Sequence, residues 1–478
     1  MDNKFYITTP IYYVNDKPHI GHAYTTIAAD VLARLHRQIG HNTFFLTGTD
    51  EHGSKIETAA KNANKTPQQF VDEISAKFSM AWDMMNVVPD RFIRTTDENH
   101  VKAVQKALER MKETGDVYLG SYEGMYCKGC EQFKTERDLV DGKCPDHKTV
   151  PEKMSEETYM FKLSKYQKIL QEKIESDEFQ ILPFQRKNEI LSFYKNEGLQ
   201  DVSFSRKNVS WGIPIPWDPS HTVYVWADAF LNYLTGIDWD GGEKIKSDYW
   251  PADVQLMSKD ILRVHATIWP AMLLSLGIPL PRVLFIHGFF TIAGQKMSKT
   301  LGNVIDPVEW AQKYGPDVVR YYLLREVPFG QDGDVSEEKL KSRYNSDLAN
   351  GLGNFFSRVT NMVEKFFEGN LEAELNKSPK DLSQVSEAFY SLNFSQGLTT
   401  AWEAIAWADG LIDKSKPWEL FKTEPQKVKE LLISLCALLY EVSFRLSPVM
   451  PETCNIIRKT LESERITKPE QPLFPKFE

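Results

Sequence analysis

The pattern of apolar and polar positions divides the chain into an alternating first part and a helical last part. Residues 4–14 (KFYITTPIYYV) are rich in β-branched and aromatic types, which predicts a strand running into a loop. Ile20, Ile27, Val31, Leu32, Leu35 and Ile39 then recur at helical spacing, and Gly40 stops that helix. HNTFFLTGTDEHG reads as a second strand ending in a polar loop. Strand, helix and strand at this spacing form a βαβ unit and predict a parallel sheet. Residues 97–114 form an amphipathic helix, and the character changes after Gly115. Residues 117–160 carry short strands, glycines and clustered cysteines, and read as an insertion. The α/β pattern returns near residue 221, where a strand-like HTVYVWA leads into a helix. DVQLMS and RVLFIHGFF have the short apolar runs of buried parallel strands. From about residue 336 the chain is helical, with periodicity through 346–367, 395–415 and 425–447. Pro417 and Pro451 each fall near a helix start, and the whole run predicts a separate helical bundle.

The 478 residues suggest about three domains, at ~150 residues each. With 42% hydrophobic and 26% charged residues the composition is that of a globular protein with a sizeable core. The net charge of −9 argues against a broad basic surface, though a local basic path for nucleic acid remains compatible with it. MDNKFYITTPIYY has no basic lead followed by an apolar run, and no apolar stretch approaches the ~20 residues of a membrane span. The expectation is a soluble, cytoplasmic protein.

Two segments carry candidate chemistry. His19-Ile20-Gly21-His22 opens the first helix, where unpaired N–H groups and the helix dipole favour a phosphate. The two histidines share one face and can donate to phosphoryl oxygens, while Gly21 lets a flat base approach the backbone. Lys296 and Lys299 lie in GQKMSKTLGN, a polar loop suited to the β and γ phosphates of ATP. Each segment alone is weak; together, in this order around an α/β fold, they point to ATP. No G-x-x-x-x-G-K-[ST] sequence is present, which disfavours a P-loop enzyme.

Of five cysteines, Cys127, Cys130 and Cys144 cluster, and Cys144-x-x-His147 follows Cys127-x-x-Cys130 after thirteen residues. Two chelating pairs at this spacing suit one tetrahedral zinc ion. Three Cys and one His fill every position, so the expected role is structural.

The paired segments resemble the two signature motifs of class I aminoacyl-tRNA synthetases, with Thr300 where the family usually has Ser. TTPIYYVNDKPHIGHAYTTIAADVLARLHR, TGTDEHG, WGIPIPWD, YVWADAFLNYLT, KDILRVHATIWPAML and HGFFTIAGQKMSKTLGNVIDP resemble, in order, the methionyl-tRNA synthetases. The chain is too short for the leucine, isoleucine and valine families with their editing insertion. The cysteine family uses an early zinc-ligating cysteine, and none precedes Cys127.

The resemblance implies a Rossmann-like parallel-sheet catalytic domain in two halves (residues 1–116 and 220–290) around a connective insertion with one zinc knuckle (117–219). A KMSKS-loop and stem-contact region (291–345) and a C-terminal α-helical anticodon-binding bundle (346–478) follow. It implies activation of L-methionine with Mg-ATP to methionyl-adenylate, then transfer to the 3′ end of tRNA(Met), the initiator included. His19, His22, Lys296 and Lys299 would act on the phosphates, with Gly21 and Arg206 also binding ATP. Trp226, Ala229 and Tyr233, spaced to share a helix face, would surround the methionine side chain with Ile11, Tyr13 and His287, and a thioether suits such an aromatic wall. Asp50 is likened to the carboxylate that holds the substrate ammonium, and Lys259-Asp260 to a family pair preceded here by Ser258 instead of Gly. Asn354, Arg358 and Trp418 match residues that meet the anticodon, although Asp409 and Leu411 replace a frequent Asn and Tyr. No additional C-terminal dimerisation module follows the bundle, so a monomer is expected. The rival readings are another class I synthetase, a non-catalytic tRNA-binding relative and a short nucleotidyltransferase.

Overall fold

The computed structural model describes residues 3–129, 132–134, 139–145, 147–207, 209–297, 303–375 and 377–477, with residues 122, 123, 132–134, 154–156 and 296 described in their main chain alone. Its centre is a parallel sheet of β1 (Lys4–Tyr13), β2 (Asn42–Asp50), β3 (Arg91–Arg94), β4 (Gln180–Leu182), β5 (Val254–Ser258) and β6 (Val283–His287). The order across the sheet is β3-β2-β1-β5-β6-β4. Helix α1 (Ile20–Gln38) connects β1 to β2 and buries Ile27, Val31, Leu32 and Leu35, as its spacing predicts. Gly40, with φ of 82°, takes the left-handed conformation just beyond it.

Successive strands run outward from β1 in one direction to β3 and in the other through β5 and β6. The order therefore switches between β1 and β5, and a crevice opens at the carboxyl ends of those strands. In β1 the pairing with β2 shifts: Thr8 faces Leu46, but Ile11 faces Gly48. One extra residue on β1 is a bulge, and Pro10, which has no N–H to give to a ladder, lies in it. The bulge changes the phase of the strand. Phe5 and Ile7 belong to the core on the α1 side and Tyr6 to the opposite core, whereas beyond the bulge Tyr12 and Val14 face the α1 side.

The structure departs from the sequence pattern in three places. HTVYVWA (residues 221–227), read as strand-like in an α/β pattern, is divided: residues 218–223 pair antiparallel with Ser205–Arg206 and Pro214–Ile215 in a small separate sheet, and a helix starts at Val225. Gln180–Leu182, inside the stretch expected as an insertion, is the edge strand of the central sheet. The rest of that stretch includes antiparallel strands Val117–Cys127, Gln132–Lys134, Glu152–Phe161 and Val202–Ser203. The helices Asn354–Phe367, Ser383–Tyr390, Phe394–Ser415, Pro425–Leu446 and Pro451–Leu461 form the expected bundle, but it is not separate. One buried apolar cluster runs from Val31 and Phe45 through Tyr321 to Leu398 and Leu439. At the seam Arg320, fully buried, binds Asp30 of α1 at 2.6 Å and the carbonyls of Pro448 and Val449 at 2.7 and 2.8 Å.

Candidate active site

The crevice holds a cavity of about 540 Å³. Its walls come from the ends of β1, β2, β5 and β6, from the start of α1, and from residues 224–233. Ile11, Tyr13, His19, Gly21, His22, Asp50, Trp226, Ala229, Tyr233 and His287 all line it. Trp226 and Ala229 are on one short helix, Val225–Ala229, and Tyr233 is on another, Asn232–Thr235; the single helix face implied by their spacing is broken at Phe230–Leu231, yet all three reach the cavity.

At the start of α1, His19 is the N-cap and its Nδ1 accepts the Gly21 N–H at 3.1 Å. His22 Nδ1 accepts the His19 N–H at 3.2 Å, and the two rings stack with centroids 3.7 Å apart. Because both Nδ1 atoms accept, each neutral ring carries its proton on Nε2, which makes that edge a donor. A Cβ on Gly21 would lie 3.0 Å from His19 Cε1 and 3.6 Å from Met297 Cε. Met297 also lines the cavity, so the two signature segments converge. Lys299 and Thr300, and the side chain of Lys296, lie outside the described residues.

The apolar end contains a residue that sequence reasoning missed. His265 lines the cavity, its Nδ1 donating to the Ile261 carbonyl (2.9 Å) and its Nε2 accepting the Tyr233 hydroxyl (2.8 Å). Burial lowers its pKa to about 4, so it is neutral at pH 7. His287 is held likewise, by the Gly288 carbonyl at 2.8 Å and Thr25 Oγ1 at 2.7 Å, and burial lowers it to about 4. The available signal was a histidine within the apolar run ILRVHATIW, where a buried polar group needs partners. Ser258 and Asp260 line the cavity and hydrogen-bond to each other, while Lys259 turns to Asp332 at 2.5 Å.

Arg206 is not brought to this cavity. Its guanidinium lies over the Tyr224 ring at 4.3 Å and donates to Ser203 Oγ and the Ser205 carbonyl at 2.8 and 2.7 Å. Away from the cavity, Cys127 Sγ, Cys144 Sγ and His147 Nδ1 lie within 4.8 Å of one another and can hold a metal ion. The fourth expected ligand, Cys130, lies outside the described residues. A Cβ on Gly129 would be 2.4 Å from His147 Cδ2, so the ring fits across the knuckle only because that residue is glycine. In the bundle, Asn354 and Trp418 are exposed, and Arg358 is forked between Asp409 (2.9 Å) and Asp413 (2.6 Å).

Residues 5–150 and 138–360 match the family described as tRNA synthetases class I (M). The carboxyl-edge cavity and its histidine-capped helix are thus those of a class I tRNA synthetase. A methionine–tRNA ligase of Clostridium acetobutylicum is 45% identical over 474 residues, covering 96% of this chain and 74% of the relative. That of Thermotoga maritima is 44% identical over 481 residues, covering 97% and 76%. The Mycobacterium tuberculosis methionyl-tRNA synthetase in complex with methionyl-adenylate superposes with a TM-score of 0.90 at 37% identity, covering 99% of both chains. The free form of the M. tuberculosis enzyme gives 0.83 at 34% identity, covering 99% of this chain and 98% of that one. The chain belongs to the methionine–tRNA ligase family.

Proposed function

We propose that this chain activates L-methionine with Mg-ATP to methionyl-adenylate, releasing pyrophosphate, and then transfers methionine to the 3′ end of tRNA(Met), the initiator included. The observation that carries the reading is one cavity joining three chemistries. A histidine-capped helix start faces one part, the Asp50 carboxylate another, and an aromatic pocket of Trp226, Tyr233 and neutral His265 the third. The methionine carboxylate attacks the α-phosphorus in line with the departing pyrophosphate. His19 and His22 donate through Nε2 to phosphoryl oxygens, joined by Lys296 and Lys299 of the signature loop, while Gly21 admits the nucleotide. Catalysis is positioning and charge stabilisation, with no protein nucleophile. Asp50 holds the ammonium; Ile11, Tyr13, Ala229 and His287 complete the amino-acid side. An uncharged His265 suits an uncharged thioether, because an imidazolium there would be desolvated without a counterion. Arg206 supports this wall through Tyr224 rather than touching ATP.

Cys127, Cys144 and His147, completed by Cys130, hold one structural zinc ion, for which three thiolates and an imidazole are a suitable tetrahedral donor set. The exposed Asn354 and Trp418, with Arg358, read the anticodon. The enzyme works in the cytoplasm as a monomer. ATP–pyrophosphate exchange tests the assignment, with tRNA charging measured alongside. Methionine is expected to support both. Exchange with another amino acid and none with methionine would overturn it.

A further inference from the structure

Asp228 is a carboxylate in the middle of the apolar run VYVWADAFLNYL, and it is 1% exposed. It sits between Trp226 and Ala229, both of which line the cavity, yet it does not line the cavity itself. Both of its oxygens accept from histidines. Oδ2 takes His52 Nδ1–H at 2.7 Å, and Oδ1 takes His100 Nε2–H at 2.8 Å. His100 Nδ1 in turn accepts the Thr235 hydroxyl at 2.7 Å. Burial alone would raise the Asp228 carboxyl, but the two histidines outweigh it and hold it below the usual carboxylate range.

These contacts join the elements that form the amino-acid pocket. His52 lies two residues beyond Asp50, in the turn after β2. Asp228 lies on the helix that presents Trp226 and Ala229. Thr235 ends the helix that presents Tyr233. The turn is pinned on its other side as well: Glu51 takes two bonds from Arg94, at 2.7 and 2.9 Å, and one from Thr96 at 2.6 Å. The Glu51 carbonyl also accepts Trp211 Nε1–H at 2.6 Å. Glu51 and His52 are fixed in these directions, and Asp50, immediately before them in the chain, lines the cavity.

We infer that Asp228 is a positioning residue that sets the distance between the Asp50 carboxylate and the Trp226–Ala229–Tyr233 wall, and so governs methionine binding rather than ATP binding. The inference rests on the reading of Asp50 as holder of the ammonium and of that wall as the side-chain pocket. Among the described residues, the hydrogen bonds of Asp228, His52, His100 and Glu51 go to the turn after β2 and to the pocket wall and not to His19–His22, which is why loss of the network separates the two substrates.

The test is ATP–pyrophosphate exchange by the full chain, with methionine and ATP varied separately. Asp228→Asn keeps the shape but turns one acceptor into a donor facing a histidine N–H. Its methionine KM is expected to rise about 10-fold or more while its ATP KM stays within about 2-fold, the effect of a lost hydrogen bond to a charged group. His52→Leu should reproduce that rise. His52→Asn, whose amide nitrogen replaces Nδ1, should restore the parent value. A parallel rise in both KM values, no rise in either, or identical behaviour of His52→Leu and His52→Asn would overturn the inference, and the His52 pair decides the matter if Asp228→Asn does not fold. Asp50→Asn measured alongside separates the two layers: an unchanged methionine KM there removes the reading of Asp50 itself.

Discussion

His265 and His287 each have both ring nitrogens engaged by the protein, and in each the pattern fixes a neutral tautomer. Both have pKa values lowered from 6.5 to about 4 by burial. In the unfolded chain they bind protons as pH falls below 6.5, whereas the folded chain resists until about 4. Their stabilising contribution is therefore present above 6.5 and declines as pH falls toward 4. Each should cost roughly 2 kcal/mol of stability between pH 6.5 and pH 5. Urea denaturation at pH 7 and pH 5 measures this, and His265→Gln should lose visibly less stability on acidification than the parent; equal losses would remove the argument. The residues legible in the sequence were those whose chemistry is local. His19, Gly21 and His22 announce a helix start by their own spacing. His265 and Asp228 depend on partners 32 and 176 residues away, and nothing beside them in the chain names those partners.

Elements were legible where one amphipathic pattern meets one environment, as in α1 and Glu98–Glu113. They were misread where a pattern admits two pairings. HTVYVWA (residues 221–227) has the character of a strand, but pattern alone does not choose a parallel neighbour over an antiparallel one, and the strand ends at Val223. Gln180–Leu182 is three residues long and has no periodicity to read. In the knuckle, by contrast, the grouping of Cys127, Cys144 and His147 was legible because their spacing in the chain is short. Its Gly129 makes a sharp prediction. Gly129→Ala places a methyl group 2.4 Å from the His147 ring, so the purified variant should carry well under one metal ion per chain by elemental analysis. Full loading would show that the knuckle opens without penalty.

Across the whole molecule, the bundle and the sheet layer share one core, and the Arg320–Asp30 pair lies within it. Helical periodicity showed which faces of the bundle are buried but not what covers them, and so the sequence suggested a separate domain. Removing one partner of a buried ion pair leaves the other uncompensated, which costs about 3–5 kcal/mol. Asp30→Asn should therefore lower stability by that order in denaturant titrations, with loss of exchange activity and loss of helical circular dichroism coinciding. Two separated transitions would mean that bundle and sheet unfold independently. The proposed anticodon face makes a different demand. Trp418 is 46% exposed, so Trp418→Ala should leave exchange intact and reduce tRNA charging kcat/KM by about 10-fold, the loss of one stacked base. Equal effects on exchange and charging would place Trp418 in the fold rather than at the RNA.

The bulge in β1 bears on how such a chain can change over time. Side chains alternate along a strand, so the extra residue between Thr8 and Ile11 acts as a shift of reading frame within the sheet. Removing one residue at Thr9 or Pro10 would turn the pairing of Thr8 with Leu46 and of Ile11 with Gly48 into a regular ladder, and would leave Ile11 and Tyr12 on the sides they already occupy. Tyr12 would keep its hydroxyl contact with Thr26 beneath α1, and Ile11 its place in the cavity wall. A single-codon deletion there is thus a change of length that the sheet takes up without exchanging its faces, whereas a second inserted residue would have to be absorbed by a further bulge or would turn Ile11 away from the substrate.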